Sequence, residues 1–173
     1  MLTFIASIPI KKKVSYIASV IAMMPACLFA QTVFYNGGTN IMADIGSIIY
    51  VDGDIENSSA GAIRNLGDIY LTGNWTNNAA SGCLDPNTGT VILDGTTQTI
   101  MGTQTTTFNN LNCQNGSFKT LNISTIVSGT TGVLSLNSSA FNLNSNTLIV
   151  TNPSTGAITR TSGYIISETD PSA

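Results

Sequence analysis

The sequence predicts an all-β chain. It reads as a single-stranded, right-handed parallel β-helix (a β-solenoid) of roughly six or seven coils, preceded by an N-terminal signal helix. The first observation is a repeat. Residues 49–57 read Ile-Tyr-Val-Asp-Gly-Asp-Ile-Glu-Asn, and residues 69–77 read Ile-Tyr-Leu-Thr-Gly-Asn-Trp-Thr-Asn, 20 positions on (69 − 49). Residues 91–95, Val-Ile-Leu-Asp-Gly, repeat its core 22 positions later (91 − 69). The second is strict alternation of apolar and polar residues within each block, the period of a β-strand. The third is composition: Asn, Thr, Ser and Gly fill most of what is not apolar, which suits strands and tight turns rather than helices. An antiparallel β-sandwich is the alternative, but its strands have no need of equivalent residues at equivalent positions. In a solenoid Ile49, Ile69 and Val91 stack directly above one another.

Along the chain, residues 1–30 read as a signal peptide. Lys11, Lys12 and Lys13 precede the apolar run from Val14 to Ala30, with small residues before a polar start. Cleavage between Ala30 and Gln31 is the expected processing site. Cys27 would be the acylation site in a lipoprotein, though Met24-Pro25-Ala26 matches a lipobox poorly.

Residues 31–168 form the predicted β-helix. Ile49 and Val51, Ile69 and Leu71, Val91 and Leu93 fall on one, inward, face. Tyr50 and Asp52, Tyr70 and Thr72, Ile92 and Asp94 fall outward. Gly53, Gly73 and Gly95 follow, where the chain turns a corner and a side chain would obstruct it. Ile55 and Trp75 then point inward again, and Asn57 and Asn77 are expected at the next bend, in left-handed backbone conformation. Leu121, Ile123 and Val127 continue the pattern, then Leu134 with Leu136 and Leu148 with Val150. Ala157-Ile158 and Tyr164-Ile165-Ile166 read as one last strand. With ~4.8 Å per coil the stack is about 30 Å long. Residues 169–173 read as a polar tail or a truncation point.

Charge excludes several functions. Charged residues make up 9% of the chain, and there is no histidine. That removes His-based acid–base chemistry and His metal sites. Beyond residue 30 only Arg64, Lys119 and Arg160 are basic (6 − 3 = 3) against nine acids, a net charge of 3 − 9 = −6. This argues against nucleic-acid partners and against an anionic membrane, apart from the signal peptide during export. Cys83 and Cys113 are an even pair that permits a disulfide in an oxidising compartment. Cys113 shares the parity of Leu111, which favours two unpaired, core-facing thiols.

Several blocks are similar to a known type of protein. Gly67-Asp-Ile-Tyr-Leu-Thr-Gly-Asn-Trp-Thr-Asn-Asn78, then Gly89-Thr-Val-Ile-Leu-Asp-Gly-Thr-Thr-Gln-Thr-Ile100 and Phe108-Asn-Asn-Leu111, resemble recurring elements of large secreted surface proteins of the Bacteroidota. Ala157-Ile-Thr-Arg-Thr-Ser-Gly-Tyr-Ile-Ile-Ser-Glu168 resembles the segment that closes such a region, so the likeness covers about residues 33–168. It implies export and delivery to the surface by type IX secretion, usually with further domains and a C-terminal sorting domain. Nothing here resembles that sorting domain, which points to an N-terminal fragment. The family implies no catalytic residues.

Among candidate sites, Asp52 with Asp94 and Asp54 with Asn74 occupy equivalent turn positions. Stacked carboxylates on a β-helix can hold Ca²⁺ or cleave polysaccharide. Two coils of separation, about 9–10 Å, is too far for one ion, so solvated turn aspartates are expected, with no cofactor and no metal. Tyr50, Tyr70 and Ile92, extended by Ile126 and Ile149, form the candidate binding stripe, since aromatic ladders stack on sugar rings or dock proteins. The competing account is packing between neighbouring outer strands. The asparagines of the Asn-x-Ser/Thr sequons at 57, 74, 122 and 137 matter only where glycosylation machinery exists. The expected function is an exported, non-enzymatic, structural or adhesin-like β-solenoid segment of a cell-surface or secreted protein. Its partners would be surface glycans or other surface proteins. The alternative is a carbohydrate-binding or polysaccharide-lyase-type β-helix.

Overall fold

The structure is a computed structural model that describes residues 32–79, 83–86 and 88–167. The signal peptide with its Ala30–Gln31 junction, and the tail 169–173, lie outside the described residues.

The chain winds in coils of three strands. The first coil holds β1 (Val33–Asn36), β2 (Asn40–Ala43) and β3 (Ile48–Val51). The second holds β4 (Asp54–Ser59), β5 (Ala62–Asn65) and β6 (Asp68–Leu71), and the third β7 (Trp75–Ala79), β8 (Leu84–Pro86) and β9 (Thr90–Leu93). The fourth holds β10 (Gln98–Gly102), β11 (Thr106–Phe108) and β12 (Asn110–Cys113); the fifth β13 (Phe118–Leu121), β14 (Thr125–Val127) and β15 (Leu134–Leu136). The sixth holds β16 (Ala140–Asn142), β17 (Leu148–Val150) and β18 (Ile158–Arg160), and β19 (Tyr164–Ile166) begins a seventh.

Strands stack coil on coil into three faces. The first face is β1-β4-β7-β10-β13-β16-β19; the third is β3-β6-β9-β12-β15-β18. The second is divided into β2-β5-β8 and β11-β14-β17. Every ladder is parallel. This is the predicted parallel β-helix, and the antiparallel sandwich is excluded. Ala157–Ile166, expected as one strand, is two strands on different faces, because a corner at Thr161–Gly163 separates them.

The alternation dictates the core. On the third face Ile49, Ile69, Val91, Leu111, Leu134 and Ile158 form one inward column in register. Val51, Leu71, Leu93, Cys113 and Leu136 form the next. Each buried aliphatic side chain contributes roughly 1.5–3 kcal/mol of hydrophobic stabilisation. The spacing along the first column is 20, 22, 20, 23 and 24 residues (69 − 49, 91 − 69, 111 − 91, 134 − 111, 158 − 134). The growing corners of the later coils blur the repeat without breaking the stack.

The corner glycines have a steric cause. A Cβ on Gly73 would run into the Gly53–Asp54 backbone of the coil beneath, and one on Gly95 into the Thr72 carbonyl. The asparagines behave differently from expectation. Asn57 and Asn77 are not in the left-handed region; that conformation belongs to Ser59, Asn115, Ser117, Asn144 and Ser145. Asn36, Asn57 and Asn77 instead stack inside the first face, all buried. Asn36 Nδ2 donates to Asn57 Oδ1 (2.7 Å), Asn57 Nδ2 to the Gly61 carbonyl (2.6 Å) and Asn77 Nδ2 to the Thr105 carbonyl (3.1 Å). Their amides therefore satisfy the buried backbone of the turn. Burial also removes Asn57 from the accessible sequons.

Candidate functional site

The outer surface of the third face carries the predicted stripe. Tyr50, Tyr70 and Ile92 are in register on β3, β6 and β9. The two phenol rings lie 6.3 Å apart, tilted by 34°. Tyr50 is 59% exposed and Ile48 beside it 67%, because β3 is the edge strand of its sheet. Ile92 differs from expectation: flanked in register by Tyr70 and Asn112, it is only 3% exposed. The accessible part of the stripe is Ile48, Tyr50 and Tyr70. Ile126 and Ile149 do not extend it. They pair with each other on β14 and β17, on the second face.

The turn carboxylates, of which Asp52 is exposed, also bind the coils together. Thr72 Oγ1 donates to Asp52 Oδ1 (2.9 Å), and the Asn74 amide to Asp54 Oδ1 (2.5 Å). Asp94 Oδ1 accepts from Gln114 Nε2 (2.7 Å) and Asn115 Nδ2 (2.6 Å). Each bond joins successive coils at equivalent turns. Among the described residues no group of three or more Cys, Asp or Glu side chains converges as a metal would need.

A buried polar corner escapes a reading by composition. Lys119 lies inside the stack, above Gln98 in register, and both are at most 1% exposed. The parity of each shows it: Lys119 alternates with Leu121, and Gln98 with Ile100, all inward. Lys119 Nζ donates to Gln98 Oε1 (2.7 Å) and to the Gly95 carbonyl. Gln98 in turn donates through Nε2 to the Leu71 carbonyl (2.9 Å) and the Gly73 carbonyl. Burial lowers the Lys119 pKa, while Cys113 and Asp94 act in the opposite sense.

Cys83 and Cys113 are free and buried, the unpaired arrangement favoured by parity. Burial pushes the Cys83 thiol up to about 11 and the Cys113 thiol to about 12, from 9.0. Both native thiols are therefore expected to react at least about a hundredfold more slowly with an alkylating reagent at neutral pH than in the unfolded chain. Rapid labelling of the folded protein would contradict this. Above pH 9.0 the unfolded thiols lose protons that the native ones keep, so stability falls as pH rises from there towards about 11.

The remaining cations are dispersed. Arg64 stands in register between Met42 and Asp85 on the outer second face, beside a depression of about 280 Å³. Arg160 is on β18 of the third face. Comparison with protein-family models, with curated proteins and with solved structures finds no match. The features that could serve a function are an exposed aromatic edge, coil-bridging carboxylates and a closed polar corner.

Proposed function

We propose that this β-solenoid is an exported, non-enzymatic structural and adhesive segment of a cell-surface or secreted protein, and that it contacts surface glycans through Tyr50 and Tyr70. The observation that carries the reading is the outward tyrosine pair on an exposed edge, next to Ile48. Two phenol faces about one sugar ring apart suit stacking on pyranose C–H surfaces. The Lys11–Lys13 leader pattern supports export, and the likeness to Bacteroidota surface proteins supports the type IX route. A polysaccharide lyase needs a base and cations gathered on one sheet. Arg64, Lys119 and Arg160 instead occupy an outer face, the interior and the last strand of another face.

The test is a Tyr50→Ser, Tyr70→Ser double variant on an immobilised polysaccharide array. Loss of two ring contacts of about 1 kcal/mol each weakens retention by roughly thirtyfold. Unchanged retention by a folded double variant would overturn the reading.

A further inference from the structure

We propose that Lys119 and Gln98 are joined by an intramolecular isopeptide bond that covalently ties the fourth coil to the fifth. The two side chains face each other across a parallel ladder, with Lys119 Nζ 2.7 Å from Gln98 Oε1. The electrophilic carbon lies one carbonyl bond beyond that oxygen. To attack, the amine has to move from that oxygen onto the carbon, out of the carboxamide plane.

Four features prepare the reaction. Water is excluded, since Gln98 is 1% and Lys119 0% exposed, and a dry site protects the amide product from hydrolysis. The amine donates to two acceptors, Gln98 Oε1 and the Gly95 carbonyl. A neutral amine has two hydrogens, so this pattern leaves its lone pair free to attack. Burial favours that neutral form. The Gly95 amide also donates to Gln98 Oε1 (2.8 Å), aimed at the oxygen where negative charge develops. Finally, Gln98 Nε2 is anchored by the Leu71 and Gly73 carbonyls, which fixes the carboxamide plane.

The balance is simple. The Nζ–Cδ bond forms and the Cδ–Nε2 bond breaks. A proton passes from Nζ to Nε2, and one ammonia leaves. No oxidant or cofactor enters. The titratable groups acting on the amine are Cys113 on β12 and Asp94 on the turn after β9. Phe141, paired above Lys119 on β16, is uncharged. The linkage closes the chain between residues 98 and 119, so force that peels one coil from the next meets a covalent bond. It is independent of any ligand on the tyrosine edge.

The experiment is proteolysis and tandem mass spectrometry of the full chain after folding and export. Chymotrypsin can cut between the two residues, at Phe108, Leu111 or Phe118, and its expected product is a branched peptide joining Gln98 to Lys119, lighter by one ammonia than its two components; trypsin is expected not to cut after Lys119. Intact mass alone does not suffice, because an N-terminal Gln31 also loses ammonia on cyclising. Lys119→Met abolishes the branched peptide. Recovery of Gln98 and Lys119 in separate linear peptides from folded wild-type protein would overturn the proposal, whether or not the variant folds.

Discussion

Trp75→Ala is expected to destabilise the stack by about 3–5 kcal/mol, the cost of emptying a large buried site. Trp75 is fully buried between Ile55 and Ile100 in register on the first face. Its ring meets Phe108 edge-on, centroids 5.3 Å apart and 62° between planes, which links the first face to the second across the core. Its Nε1 donates to Thr106 Oγ1 (3.0 Å), so the truncation also removes one hydrogen bond from a buried hydroxyl. These neighbours belong to the coils on either side, the second and the fourth, and cannot close the gap without shifting their ladders. Chemical denaturation followed by far-UV circular dichroism measures the loss. A change below about 1 kcal/mol would mean that the coils repack freely, contrary to a close-packed interior.

The second large effect comes from adding a single carbon. Gly73→Ala places a Cβ against the backbone of Gly53 and Asp54 in the coil below. The Asp54 carboxylate oxygen is also in the way and could turn aside, but the Gly53 and Asp54 main chain, part of the same corner that sets the spacing between coils, cannot. Overpacking of this kind costs about 1–3 kcal/mol. Gly156→Ala is the control: the nearest atom to a Cβ there is Ser154 Oγ at 3.5 Å, an ordinary contact. A drop in midpoint denaturant for Gly73→Ala but not for Gly156→Ala is the expected result. Equal behaviour of the two would remove the steric explanation for the repeating glycine.

The success of sequence reasoning tracks one physical rule, period-two alternation. Parity separates inward from outward residues within each strand, polar inward residues included, but it does not say which outward residues are covered or which face they share. Lys119 and Gln98 obey it as strictly as Leu121 and Ile100, but a lysine is normally counted as surface, and composition hid it. Asn57 and Asn77 show the same lapse. Asparagine suggests a left-handed turn, yet parity with Ile55 and Trp75 places both inward, where their amides serve the buried turn backbone. The stripe was legible in register and illegible in exposure. Tyr50 and Ile92 share a column, and only the position of β3 at the sheet edge separates an accessible ring from a covered one.

The chain's own repeat thus determined the solenoid, the parallel stacking, the inward columns and the corner glycines, because each follows from local alternation and a recurring turn. Tertiary structure alone decided which corner joins which faces. It placed Ile126 and Ile149 on the second face, split 157–166 into two strands, and set Lys119 over Gln98. Those outcomes depend on the length of each coil. Corners are loops of variable length, so local pattern does not record which residues of successive coils come to lie above one another.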